Sequence, residues 1–103
     1  MGGLGLTPWK FMTDILTCPL SPSPDAFENR VGDETVLLHL GNGTYYGLDP
    51  IGTVMWEMLK QGMRPLQICQ AIGQRYGIPS ELVENDARCF LSDLKQHDIV
   101  VET

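Results

Sequence analysis

Gly43-Thr44-Tyr45-Tyr46-Gly47-Leu48-Asp49-Pro50 is the stretch on which the fold turns. Thr44 to Leu48 has the β-branched and aromatic content of a strand. Asp-Pro follows at once, offering a side-chain oxygen to cap a helix and a proline to begin it. Before this stretch the chain reads as short alternating segments joined by tight turns. After it, the spacing is helical.

Working upstream, Gly41-Asn42-Gly43 is a hairpin loop, because glycine and asparagine tolerate the positive φ that short hairpins demand. Thr35 to Leu40 before it is the strongest strand pattern in the chain. Val36, Leu38 and Leu40 fall on one face and Leu37 and His39 on the other, which sets His39 toward solvent or a partner. Gly32-Asp33 supplies another turn. Ala26 to Val31, broken by Glu28 and Arg30, is a weaker strand. The expected product is a three-stranded antiparallel β-meander with Thr35–Leu40 in the middle.

Downstream, Ile51, Val54, Met55, Met58 and Leu59 recur at helical spacing, with Trp56 widening the face, until Gly62. Pro65 opens a second helix with Leu66, Ile68, Cys69, Ile72 and Tyr76 on its apolar side, closed by Gly77. Pro79-Ser80 opens a third, striped by Val83, Ala87, Phe90, Leu91 and Leu94, running to Gln96 or His97. Ile99-Val100-Val101 fits one more short strand. Three strands followed by three helices make an α+β domain. The second and third helices, joined across Gly77-Ile78-Pro79, suit a winged helix-turn-helix-like arrangement.

Residues 1–23 stand before that domain, which is assigned to residues 24–103. Thr7-Pro8 can start a short amphipathic helix, with Trp9, Phe11, Met12, Ile15 and Leu16 as its apolar stripe and Cys18-Pro19 as its stop. Ser21-Pro22-Ser23-Pro24 reads as a stiff, extended linker. The stripe either packs on its own domain or serves as a docking element, including a swapped arm in a homodimer.

With 103 residues the chain can bury one modest core. Thirteen acidic against seven basic residues give a net charge of −6, which opposes nucleic acid and anionic membranes and favours a protein, peptide or cation as partner. Three cysteines without a C-x-x-C pair fit a reduced, cytoplasmic protein, with Cys69 and Cys89 as small buried hydrophobes. No run approaches the ~18 apolar residues of a membrane span. Lys10 and Asp14 interrupt the apolar N-terminal stretch, and no signal peptide is read there.

Catalysis needs a nucleophile or base held near a partner group. His39 and His97 lie on different elements and share no ligand spacing with a cysteine, so no catalytic residue, metal site or cofactor is expected. Gly41-Asn42-Gly43 is too short for a phosphate loop and leads into a strand. The third helix carries Glu81, Glu84, Asp86 and Asp93 against Arg88 and Lys95, where a DNA-reading helix needs Arg, Lys, Asn or Gln. A winged-helix transcriptional regulator or protein-interaction module is therefore the alternative reading, and a small enzyme or metal protein the third.

The two outer strands of the meander differ in protection. Ala26–Val31 carries Glu28 and Arg30, whereas Thr44–Leu48 carries neither charge nor proline. An open edge with two tyrosines suits addition of an extended peptide. Composition leaves a second reading open, in which the third helix or the N-terminal arm covers that edge.

Val36-Leu37-Leu38, Gly43-x-Tyr45-Tyr46-Gly47-Leu48-Asp49, Gly52, Trp56-Glu57-x-Leu59 and Gly62 together resemble the PqqD-like family. Ile68, Tyr76 and Val83-x-x-Asp86-Ala87-x-x-Phe90-Leu91-x-x-Leu94 continue the resemblance, which covers Pro24 to Val101 in order. It implies a leader-recognition element of a pathway for ribosomally synthesised and post-translationally modified peptides. Such a domain is non-catalytic and binds the leader of a precursor peptide as an added strand. By position, the resemblance lays the leader along Thr44, Tyr45, Tyr46, Gly47 and Leu48, with Val83, Asp86, Ala87 and Phe90 lining the groove. The implied second partner is a peptide-modifying enzyme such as a leader protease, a cyclase or a radical enzyme. Gly41-Asn42-Gly43 replaces the Pro-Glu-Gly-type hairpin of members devoted to pyrroloquinoline quinone, and Asp49 stands where Asn is more frequent. Both departures point to a general leader-binding member, such as those serving lasso-peptide or radical-enzyme pathways.

Overall fold

Asp49 and Pro50 make the junction between sheet and helices. Asp49 keeps an extended backbone, its Oδ1 accepts the Gly52 N–H at 2.7 Å, and Pro50 takes the first helical position. The computed structural model describes residues 14–103. Its elements are β1 (Leu20–Pro22), β2 (Ala26–Val31), β3 (Glu34–His39), β4 (Tyr45–Leu48), α1 (Pro50–Lys60), α2 (Pro65–Tyr76), α3 (Ser80–Gln96) and β5 (Val100–Glu102). β2, β3 and β4 form an antiparallel meander with β3 central, so the chain is an α+β domain.

The buried face of β3 is the opposite of the expected one. Thr35, Leu37 and His39 are buried, whereas Val36 and Leu38 are half-exposed and Leu40 is exposed. The Val36–Leu38–Leu40 face is the more apolar in sequence, so alternation alone points to the wrong side. Contacts made elsewhere choose. Thr35 meets Thr53 of α1, hydroxyl to hydroxyl at 3.1 Å. His39 is roofed by the hairpin loop, and its Nδ1 accepts the N–H groups of Gly41 and Asn42 at 3.0 and 3.2 Å. A Cβ on Gly41 would lie 2.8 Å from His39 Cε1, and Gly43 holds a φ of +72°, so glycine serves the turn at both places.

The helices cover that buried face. Trp56 and Leu59 of α1, Ile68 and Ile72 of α2, and Val83, Ala87, Leu91 and Leu94 of α3 build the core with Leu37 and Leu48. In α1 the buried set also takes in Gly52 and Thr53, while Ile51, Val54 and Met58 are only partly covered. The helix is apolar around most of its girth, and packing against β-strands and α2 selects which side is sealed. Leu66 and Tyr76 of α2 are exposed, and so is Cys89, whereas Cys69 is buried as expected.

The described part of the N-terminal segment is joined to the domain. Leu16 and Leu20 lie in the core, and β1 pairs antiparallel with β5, Leu20 opposite Glu102 and Pro22 opposite Val100. The Ser-Pro run expected as a linker is thus paired backbone, and Ser23 N–H donates to the Ile99 carbonyl at 2.8 Å. Of the helix expected from Trp9 to Leu16, residues 9–13 lie outside the described residues, and Ile15–Thr17 form a single 3-10 turn capped by Asp14. Arg88 of α3 reaches back to Asp14 at 2.8 Å. That hydrogen bond, with the Leu16 N–H, holds the Asp14 carboxyl below its ordinary value.

Glu28 is also an anchored carboxylate. It accepts from Trp56 Nε1 at 3.2 Å and from Lys60 at 2.6 Å, so β2 is tied to α1 by one side chain. Burial works to raise its pKa. The hydrogen bonds from Lys60 and Trp56, with the charges of Lys60 and Arg30, outweigh burial and hold the carboxyl below 4.5. A lowered pKa stabilises the fold above the unfolded value and loses that stabilisation as pH falls through the folded one. Glu28→Gln is therefore expected to melt below wild type at neutral pH, with the gap narrowing as the solution is acidified below the ordinary carboxylate range. Thermal melts of both proteins across that range check it, and a gap that stays constant would remove Glu28 as the cause.

Candidate peptide-docking edge

Two backbone hydrogen bonds fix which groups of β4 are free. Leu40 N–H donates to Asp25 O and His39 N–H to Thr44 O, each at 3.0 Å. In an antiparallel ladder the direction alternates, so even-numbered residues of β3 bond β2 and odd-numbered ones bond β4. Opposite Leu37 and Thr35 stand Tyr46 and Leu48, which therefore turn their amides inward. Tyr45 and Gly47 turn theirs outward. No strand among the described residues pairs with that outer side.

Beside the free edge stands α3. Positions 86, 90 and 93 of α3, with His97 at its C-cap, follow the i, i+4, i+7, i+11 spacing of one helical stripe. Tyr46 spans from the strand to this stripe. Its hydroxyl donates to Asp93 Oδ2 at 3.2 Å, its ring meets Phe90 edge-on at 6.5 Å between centroids, and the His97 ring is 6.1 Å away. Burial, then the hydrogen bond to Asp93 and its charge, push the Tyr46 phenol above its ordinary value and keep it a donor. The loop end is fixed as well: Asn42 Nδ2 donates to the His97 carbonyl at 3.1 Å, and Asn42 Oδ1 accepts from Thr44 N–H at 2.9 Å. At the other end a cavity of about 260 Å³ is lined by Asp49, Ile51, Gly52, Met55, Asp86 and Phe90. Its lining combines apolar side chains, Ile51, Met55 and Phe90, with two carboxylates.

The structure divides the residues singled out from sequence into three groups. Tyr45 and Gly47 present free backbone, and Thr44 leads into them from the loop. Tyr46, Asp86 and Phe90 belong to the walls between β4 and α3. Leu48, Val83 and Ala87 are core, at 3%, 2% and 1% exposure, and offer a peptide no surface. Asp93 and His97 share the wall but were not singled out, although they continue the spacing that begins at Asp86 and Phe90.

The family model described as Coenzyme PQQ synthesis protein D (PqqD) matches residues 34–100, a span that takes in both β4 and α3. The chain belongs to the PqqD family. TbiB1, solved in complex with the TbiA(beta) leader peptide, is 39% identical over 78% of this chain and 93% of its own, with a TM-score of 0.74. A lasso peptide synthetase B1, solved with its leader peptide, shares the PqqD fold at 19% identity, a TM-score of 0.73, and coverage of 81% of this chain and 98% of that one. No curated protein matches the chain significantly. Within this PqqD-family fold, no helix of the described residues is long and apolar enough to cross a membrane.

Proposed function

We propose that this chain is a non-catalytic adaptor that binds the leader of a ribosomal precursor peptide as a fourth strand on β4. It then presents the precursor to a separate modifying enzyme. The observation that carries this reading is the unpaired edge of β4 beside the Asp86–Phe90–Asp93–His97 wall. Outward amides and carbonyls at Tyr45 and Gly47 supply backbone hydrogen bonds, and the groove supplies selectivity for alternate side chains. Leader binding by TbiB1, at 39% identity, supports the same reading. Exposed carboxylates along α3, at Glu81, Asp86 and Asp93, would repel phosphate, which weighs against a DNA-binding regulator. Three free cysteines suit a reducing, cytoplasmic setting.

An NMR titration tests the proposal, using the synthetic leader of the cognate precursor peptide. The expected result is binding at about micromolar affinity or tighter, with the amides of Tyr45 and Gly47 moving most because they gain new acceptors. Duplex DNA should leave the spectrum unchanged. Still amides on β4, together with DNA-induced shifts along α3, would overturn the adaptor in favour of a regulator.

A further inference from the structure

The two sides of α3 have different neighbours. Asp86, Phe90 and Asp93 stand on the β4 side, whereas Ser80, Glu84, Arg88, Ser92 and Lys95 recur at i, i+4, i+8, i+12 and i+15 on the opposite one. Along this far side the N-terminal segment runs against the direction of the helix. Cys18 and Ile15 lie beside Ser92 and Lys95 around a cavity of about 630 Å³. Asp14 is held at Arg88, whose Nε and Nη2 donate to its carboxylate at 2.8 to 3.1 Å. Traced from Cys18 back to Asp14, the chain moves from the end of α3 toward its start.

A second cavity lies ahead in that direction. Its volume is about 410 Å³, and its lining includes Cys69, Gly73 and Gln74 of α2 with Ile78 and Ser80 at the turn into α3. Cys69 places it next to the anchor. Burial and then the charge of Glu84 push this thiol up, Arg88 opposes them, and Asp14 adds to them. Tyr76 continues the stripe of Cys69 and Gly73 on α2 and is 41% exposed. From Arg88 to Ser80 the helix spans about 12 Å, which an extended chain crosses in about four residues. The four residues before Asp14 are Lys10, Phe11, Met12 and Thr13, and Trp9 precedes them. In an extended run Trp9 and Phe11 share one side and Lys10 takes the other. Lys10 is the one charged side chain of residues 1–13, and Glu81 and Glu84 stand on α3 at that level.

We propose that this chain's own N-terminal segment docks in the α2–α3 groove, with Phe11 in the second cavity, Trp9 against Tyr76, and Lys10 toward the border formed by Glu81 and Glu84. The segment straps the two helices together on the side of α3 that faces away from β4. Position selects this occupant. Asp14 is fixed to α3 of the same chain, so the residues just before it meet the cavity at a high effective concentration that a separate partner or a second copy lacks.

Trypsin cleavage after Lys10 in the full-length chain, followed by mass spectrometry, reads the docked state, because a protease cuts the segment only when it opens. Each rate is divided by that of the matching free peptide of residues 1–14, which removes the effect of sequence on cutting. Wild type is then expected to be cleaved at least about tenfold more slowly than W9S/F11S, in proportion to the open population. NMR locates the segment. The two substitutions should move the amides of Gly73, Gln74 and Ile78 and leave those of Tyr45 and Gly47 in place. Equal corrected rates overturn the proposal, as do amide shifts confined to other elements. So does a wild-type dimer in sedimentation that W9S/F11S disperses, since the groove is then filled by the segment of a second copy. If W9S/F11S does not fold, F11A asks the same question with a smaller change.

Discussion

Gly47→Pro is expected to leave the domain folded and to weaken leader binding about a hundredfold, the equivalent of about 2–3 kcal/mol. The Gly47 amide points to the open side of β4, so proline removes no bond from the sheet, and an edge strand tolerates it there. Gly47 is not among the glycines with positive φ, and a side chain at this position meets nothing within 4 Å. What is lost is a donor to the added strand. The incoming carbonyl is left unsatisfied in the contact, and the proline ring stands where that strand must approach. Tyr46→Pro is the matching control with the opposite outcome. Its amide faces Leu37 within the ladder, so proline there should break the hairpin itself and lower the melting temperature. Fluorescence anisotropy with a labelled leader, beside a thermal melt, separates the two. A folded Gly47→Pro chain with wild-type affinity would place the leader somewhere other than β4.

The largest effect on stability is expected at Trp56. This side chain is 2% exposed, sits among the buried residues of α1 and the sheet, and donates to Glu28 across to β2. Trp56→Ala should cost about 3–5 kcal/mol through lost burial and the cavity left behind. Set against a total stability of about 5–15 kcal/mol for a domain, that leaves a protein near its unfolding threshold at room temperature. Trp56→Phe keeps most of the apolar contact and loses the indole donor, for about 1 kcal/mol. Urea denaturation checks both, and the midpoint should fall while the slope stays the same. A loss under about 1 kcal/mol for Trp56→Ala would mean that the core is not centred on this residue.

Punctuation made most of the element order legible in the sequence. Asp49-Pro50, Gly41-Asn42-Gly43, Pro65 and Gly77 each force a local conformation, and each stands at a boundary in the structure. The face of β3 was not legible, because the buried side carries Thr35, Leu37 and His39 while the more apolar Val36, Leu38 and Leu40 lie on the other. Its choice depends on Thr53 and on the hairpin loop, neither of which the strand itself encodes. The β1–β5 pairing was hidden for a different reason. Ser21 and Pro22 carry no strand signal of their own, and they are held by Val100 and Val101 from the far end of the chain. Proline is accepted because an edge position can do without its donor.

The groove was half legible. Asp86 and Phe90 came from the family resemblance, but so did Val83 and Ala87, which are core. A helix packed between a core and a groove shows a broad apolar stripe without marking where one ends. Phe90 lies on that boundary, half-buried and in contact with Tyr46. The bridge from Tyr46 to Asp93 joins residues 47 positions apart and left no local trace.

The struts across the groove bear on rates and on leader design. Tyr46 to Asp93 braces its middle, Asn42 to His97 its loop end, and the Asp49 cap on Gly52 the start of α1 beside it. A receptor shaped in advance gives up little conformational freedom when the peptide arrives, so the entropy of ordering falls almost wholly on the leader. Differences among leaders should then lie mainly in how long each stays bound rather than in how quickly it arrives. A leader already inclined to an extended backbone would hold longer with no new contact at all.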